Sequence, residues 1–287
     1  MDTPATAPAS PHPMPVRRDL RFGLPAGRIT DWNAHGPHLT QFMNTLSLYF
    51  PVGERFFMDS VRHYRERITD PELKKAVTGF IGQEAMHGRE HQEYNEALFA
   101  AVPATAGMER FVGRFLKWIQ TWLPARMQLS ATIALEHFTA IMADGLLKEP
   151  RILEGAEPKF AALWRWHALE ETEHKAVAFD VWTTVMGRGP RAWFERCLGL
   201  LLATVILWTI FTTHYLYILG QQGLLTNGRG WGALFRVLWG EIGFMRKLIL
   251  PWADYFRPGF HPWDHDNRHF LAEMDKVTAG LPSAPSA

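Results

Sequence analysis

From about residue 38 the apolar side chains recur at steps of three and four, as they do on helices with one face turned inward. Alternating apolar and polar runs, which half-buried strands require, are nearly absent. The pattern predicts helices over 38–67, 71–99, 107–123, 126–148, 158–187 and 190–220, then a broken one near 231–250. Asp70-Pro71-Glu72 combines a cap, a first-turn proline and a first-turn acid, a strong helix start. Pro51 falls inside the first segment, so that helix is expected to be kinked or divided just before Glu54. Residues 1–36 are rich in Pro, Ala and Ser, carry Arg17 and Arg18, and lack the apolar core of a signal peptide. They are expected to form a disordered or extended arm.

One stretch breaks the amphipathic pattern. The 24 residues from Cys197 to Gly220 contain no Asp, Glu, Lys or Arg. At about 1.5 Å per residue they reach roughly 36 Å, enough to cross a bilayer core of about 30 Å. Trp231 to Trp252 is also apolar and Trp-rich, but Arg236, Glu241, Arg246 and Lys247 interrupt it, which suits an interfacial helix better than a second span. A buried central helix and a membrane contact both fit. The expected organisation is an arm over 1–36, a helical bundle over 37–189 that carries the candidate chemistry, an apolar helical hairpin over 190–252 that is membrane-associated or buried, and a polar tail over 253–287.

Composition narrows the function. Thirty Lys and Arg balance 29 Asp and Glu in 287 residues, which argues against a nucleic-acid partner. The single cysteine, Cys197, excludes an intrachain disulfide and a Cys-rich metal site, and fits a cytoplasmic protein, here with an inner-membrane association. No Gly-rich phosphate loop and no Gly-x-Ser-x-Gly elbow occurs, so nucleotide-binding and α/β-hydrolase readings have no support.

The chemistry lies in two Glu-x-x-His motifs, Glu84-Ala-Met-His87 and Glu171-Thr-Glu-His174. Residues three apart share a helix face, so each motif aims a carboxylate and an imidazole at one point. Each is preceded by a helical Glu in apolar company, Glu54 and Glu136. The order Glu, Glu-x-x-His, Glu, Glu-x-x-His is that of a carboxylate-bridged di-metal centre in a four-helix bundle. A carboxylate in such surroundings needs a partner; two Fe²⁺ ions would neutralise all four. His167 extends the Glu171–His174 stripe, and His91 extends the Glu84–His87 stripe in mirror image, as a further ligand or as support for one. His137 points about 100° away from Glu136. Glu170 and Glu173 are expected to face solvent or neighbouring helices. His261, Asp264, His265, Asp266 and His269 sit in a polar segment where caps and solvated charges are ordinary.

At these residues the chain resembles the ferritin-like di-iron carboxylate proteins. The His167-x-x-x-Glu171-x-x-His174 stripe is similar to the p-aminobenzoate N-oxygenase type, in which an extra His joins the last Glu-x-x-His. The segments FPVGERFF, GQEAMHGREHQ, ALEHFTA and WHALEETEHKAVAFDV also resemble a bacterial family labelled predicted metal-dependent hydrolase, over about residues 40–260. The resemblance implies an all-α, ferritin-like four-helix bundle with a di-metal core, and the apolar 197–220 segment exceeds that minimal fold as a helical C-terminal extension. It also implies metal ligation by Glu54, Glu84, His87, Glu136, His167, Glu171 and His174, and His91 has no counterpart in the basic pattern.

Three functions follow as expectations. The first is a non-haem di-iron oxidase or oxygenase, which would activate O₂, oxidise a hydrophobic or lipid-like substrate, and draw electrons from a separate donor. The second is a hydrolase using a hydroxide held between two metals, with manganese or zinc in place of iron. The third is a non-catalytic metal-binding protein. A homodimer joined through the apolar segment would also satisfy its burial.

Overall fold

A computed structural model describes residues 12–282, and the long regular elements among them are all helices. The predicted first helix is two: α1 (Pro37–Ser47) and α2 (Phe50–Arg62). Pro51 has no N–H to give to the carbonyl of Ser47 and its ring crowds that carbonyl, so α1 stops there. Next come α3 (Pro71–Ala101), α4 (Ala104–Trp122) and α5 (Ala125–Lys148). The start of α3 is capped as its sequence requires, Asp70 accepting from the Glu72 N–H at 2.9 Å.

The predicted helix over 158–187 divides into α6 (Pro158–His174) and α7 (Val177–Met186). No Gly or Pro marks that break. At it, Lys175 Nζ reaches into the C-terminal segment, to the His265 carbonyl at 2.6 Å and Asn267 Oδ1 at 2.7 Å.

Helix α2 pairs with α3, and α5 with α6; the two pairs face each other, α2 against α5 and α3 against α6 and α7. Helix α4 runs outside, between α3 and α5 in sequence, so the four helices that carry the motifs are not consecutive. One apolar cluster, with Leu39, Leu48, Tyr94, Phe160 and Leu163, fills one end of this arrangement. A second, with Phe56, Phe80, Ile133, Val177 and Val181, fills the other. The helices carry both motifs through the layer between them, which is therefore walled off from water at both ends.

The 190–252 segment is not a hairpin. It holds α8 (Pro190–Gln221), α9 (Gly228–Leu238) and α10 (Phe244–Asp254). Helix α8 is the one described helix long and apolar enough to cross a membrane by length and composition. It is not a buried central helix: only a stripe from Ala192 through Leu200 and Phe211 to Leu219 is covered, by α5 and α1. The segment after α10 is no polar tail either, since Tyr255, Phe260 and Trp263 are buried against the body; α11 (Met274–Thr278) packs on α6.

The described part of the N-terminal arm is extended but pinned. Gln83 donates to the Val16 carbonyl at 3.1 Å, and Trp32 is fully buried. A Cβ on Gly79 would stand 2.3 Å from the Pro15 carbonyl oxygen, so only glycine lets the arm lie this close to α3. Residues 1–11 and 283–287 of the predicted arm and tail lie outside the described residues.

Candidate metal centre

Helices α2, α3, α5 and α6 bring Glu54, Glu84, His87, Glu136, His167, Glu171 and His174 together, and none is more than 4 % exposed. Two sets of donor atoms converge, each within 4.8 Å: Glu54, His87 and His167 in one, Glu84, Glu171 and His174 in the other. Glu136 joins the second set, its Oε2 lying 3.9 Å from His174 Nε2. Glu171 stands between the sets. Its Oε1 is 3.1 Å from His167 Nε2, and its Oε2 is 3.5 Å from His174 Nε2. That is the position of a bridging carboxylate. Gly88 makes room for Glu54, since a Cβ there would meet the Glu54 Oε2 at 3.1 Å.

Both oxygens of Glu54, Glu84 and Glu136, Oε2 of Glu171, Nδ1 of His87 and Nε2 of His174 are buried without a hydrogen-bond partner. Native interiors seldom leave such atoms unpaired, because each costs about 1–3 kcal/mol, and more when charged. Nine of them aimed at one dry spot fit a pair of cations and little else. The protonation pattern agrees. Burial, then the charges of Glu84 and Glu171, push Glu54 and Glu136 well above the usual carboxylate range. Burial raises Glu84 as well. Burial also works to raise Glu171, but the charge of His174 and the hydrogen bond to His167 overcome it and hold Glu171 down. His174, which burial alone would lower, is drawn up by Glu171 and Glu84. The cluster thus gathers protons where it lacks positive charge, and metal loading exchanges those protons for cations.

His91 does not reach the site. Its Nε2 is 2.8 Å from His167 Nδ1, and its Nδ1 is 2.8 Å from Ser47 Oγ. Hydrogen-bond arithmetic fixes the protons. The Asn95 amide donates to the Ser47 carbonyl at 3.0 Å and to Glu109 at 3.1 Å, which turns its Oδ1 toward Ser47. The Ser47 hydroxyl donates to that Oδ1 at 2.7 Å. Ser47 Oγ must then accept from His91 Nδ1–H, leaving His91 Nε2 to accept from His167 Nδ1–H. The chain Asn95–Ser47–His91 therefore presents the other nitrogen of His167, Nε2, to the site. His91 is a positioning residue, and the ligand expectation for it is corrected.

The other imidazoles are braced too. His174 Nδ1 donates to Gln83 Oε1 at 2.9 Å, leaving Nε2 for the site. His87 Nε2 lies 3.0 Å from Glu170 Oε2. Glu170 Oε1 accepts from Trp166 Nε1 at 2.9 Å and Arg18 at 3.0 Å. Burial pushes Glu170 up to about 8 against the pull of Arg18. Arg18 also binds Glu173 at 2.7 Å. Of the two alternatives expected for Glu170 and Glu173, solvent or a neighbouring helix, the second holds: both are buried against His87 and Gln83 of α3, and the N-terminal arm covers them. Residue spacing alone carried no sign of Ser47, Gln83 or Arg18 in these roles, because each lies on a different element from the group it contacts; Asn95 is on α3 with His91, but it acts through Ser47 of α1.

The remaining histidines go elsewhere. His137 donates to the Pro251 carbonyl at 3.1 Å, and burial lowers it to about 3, so it is neutral. His261 pairs with Asp180 at 3.0 Å, His265 lies 3.1 Å from Asp254, and the His269 ring lies against Phe270. These do not converge.

Glu54 also lines a cavity of about 700 Å³ between α2, α4, α5 and α8. Its walls are Phe50, Phe57, Leu135, Phe138, Leu202 and similar side chains; the polar side chains besides Glu54 are Tyr49, Ser130, Thr139, Arg126, Arg191 and Glu195.

A family model described as predicted metal-dependent hydrolase matches residues 16–266, which contain the whole site. The chain belongs to that family. No curated protein and no solved structure matches it. The family description is that of a metal-dependent enzyme, and in this member of the predicted metal-dependent hydrolases the buried glutamates and imidazoles are the residues fitted to hold the metal.

Proposed function

We propose that the chain is a dinuclear non-haem iron oxygenase acting on a hydrophobic substrate held in the cavity beside Glu54. The observation that carries this is the buried cluster of four carboxylates and three imidazoles, nine of whose donor atoms lack a hydrogen-bond partner, without a thiolate, a set suited to iron that cycles between two charge states. Glu54, His87 and His167 would hold one ion and Glu84, Glu136 and His174 the other, with Glu171 shared between them. When bound, the metals would supply reduction of O₂ with two electrons from a separate protein donor, so that R–H, O₂, two electrons and two protons give R–OH and water. The chain's own contribution is positional. The two apolar clusters exclude water, the cavity wall sets the substrate alongside Glu54, and Ser47–His91, Gln83 and Glu170 hold the three imidazoles in one orientation.

The second reading, hydrolysis by the same residues, is favoured by the family description. Against it, the cavity wall near Glu54 is mostly apolar, and the hydroxyls of Tyr49, Ser130 and Thr139 that line it already have partners in His214 and the Glu195 and Glu136 carbonyls, so none stands ready for a developing oxyanion.

The test begins with elemental analysis of protein from unsupplemented cells, then reconstitution of metal-free protein with iron, manganese or zinc. Alkyl substrates and alkyl esters are offered with and without ¹⁸O₂ and a reducing system. Two irons per chain and ¹⁸O in the product are expected. Ester cleavage with zinc or manganese in the absence of O₂ would replace oxygenation by hydrolysis, and failure to take up stoichiometric metal would overturn both.

A further inference from the structure

The exposed apolar surface and the cavity are one feature. Phe194, Leu198, Leu202, Ile206 and Met127 line the cavity and are also exposed, so its mouth opens on the outer face of α8. Around that mouth the surface stays apolar: Trp122 is 71 % exposed, Val205 66 % and Leu250 of the neighbouring α10 78 %. Trp252 of α10 donates to Thr204 of α8 at 3.1 Å, which joins the two helices into one face. Solvated proteins rarely expose a patch of this kind unless it meets a partner.

Three observations identify that partner. Helix α8 packs on α5 and α1 through a one-sided stripe with buried residues toward both of its ends, so it lies along the body, as a helix seated on a leaflet does, and does not project to cross one. The flanks of the face are basic, with exposed Arg110, Arg114 and Lys117 on α4 and Arg229, Arg236 and Arg246 toward α9 and α10. A second copy of the chain would set cation against cation, whereas an anionic leaflet complements both flanks. Exposed Trp118 and Trp122 suit the interface between headgroups and acyl chains.

The mouth also reads charge. Glu195 pairs with both Arg126 and Arg191, leaving one positive charge over, and Arg126 Nε–H is buried without an acceptor. From Arg126 to Glu136 is ten residues of α5, about 15 Å at 1.5 Å per residue.

We propose that this face docks on an anionic leaflet and that the cavity takes from it a single-chain alkyl carboxylate, headgroup at Arg126 and mid-chain beside Glu54. This rests on the reading of the site as one that acts on a hydrophobic substrate, yet it is tested without turnover. Full-length protein is floated with vesicles of phosphatidylcholine alone or mixed with phosphatidylglycerol. Binding only to the anionic vesicles, abolished by high salt, is expected. A Leu201→Glu, Val205→Glu variant, altered at exposed positions outside the cavity wall, is expected to keep its helical spectrum and metal content and to lose binding at least tenfold. In a second arm, displacement of a fluorescent fatty acid measures oleate and oleyl alcohol. Arg126→Ala is expected to weaken oleate about tenfold and leave oleyl alcohol unchanged. No vesicle binding, or a wild-type dimer that the Leu201→Glu, Val205→Glu variant splits, would overturn the docking; equal loss of both ligands would overturn the headgroup assignment. Lipid binding without any turnover would sink the proposed activity and leave this inference standing.

Discussion

Replacing His91 by Phe tests whether a buried chain of hydrogen bonds sets the orientation of His167. The ring of residue 91 is surrounded by Phe50, Trp164 and Tyr94, with centroids 4.6, 5.4 and 5.9 Å away, so a phenyl group suits the site sterically. What it cannot do is accept the proton of His167 Nδ1, which would be left unpaired in a position 3 % exposed. An unsatisfied buried donor costs about 1–3 kcal/mol. His167 can escape that cost by rotating away or changing tautomer, and both withdraw Nε2 from the site. The penalty then appears as weaker metal binding, about 10–100-fold, the range for loss of a residue that supports a ligand. At about 1.4 kcal/mol per tenfold, the two figures agree. Competition of metal-free protein against a fluorescent chelator resolves the two binding steps. One of the two steps is expected to weaken, that of the set containing Glu54 and His87, while His91→Gln, whose amide oxygen restores an acceptor, recovers most of the loss. Unchanged affinity in a folded His91→Phe protein would refute the chain. Disappearance of a whole metal equivalent in both variants would make His91 a ligand.

Glu136→Ala is expected to lower the metal content by at least one ion per chain in elemental analysis, and two ions still bound would break its assignment. Arg18→Gln removes the cation that Glu170 and Glu173 share under the N-terminal arm, and should destabilise the protein by about 3 kcal/mol in urea unfolding; a change under about 0.5 kcal/mol, the level of an ordinary surface substitution, would show the arm to be dispensable. Glu149 is held down to about 2, first by its hydrogen bond from Arg151 and then by Lys247, which ties the end of α5 to α10. Because its folded value is depressed, its stabilisation is complete above 4.5 and is lost as pH falls toward 2. Glu149→Gln should therefore cost about 1 kcal/mol at pH 7, a figure reduced for the exposure of its partners, and nothing near pH 2. Thermal melts across that range would contradict this if the gap between the two proteins stayed constant.

Much of the candidate centre was legible in the sequence. That Glu54, Glu84, His87, Glu136, Glu171 and His174 converge in one buried cluster could be expected because motif spacing is a local property: three residues are most of one helical turn, and a carboxylate in apolar company advertises a need for charge. His167 was legible for the same reason, one turn before Glu171. Helix existence was local too, and the ends at Asp70 and Pro51 followed from backbone chemistry.

The break at Lys175 had no such signal, since contacts from nearly a hundred residues away accompany it. His91 shows the limit most sharply. Its spacing mirrors that of His167, yet one ring faces the site and the other stands behind it, because Ser47 of α1 lies beside one of these helix faces. For Glu170 and Glu173 the sequence left solvent and a neighbouring helix both open, and only the packing of α3 and of the arm with Arg18 decided it. The sequence by itself determined which helices form and which faces carry carboxylates and imidazoles, because both depend on residues within a few turns of one another. Only the tertiary structure decided which of those groups share a point, which proton sits on which nitrogen, and where the apolar face of α8 ends up, because each depends on what another helix brings against it.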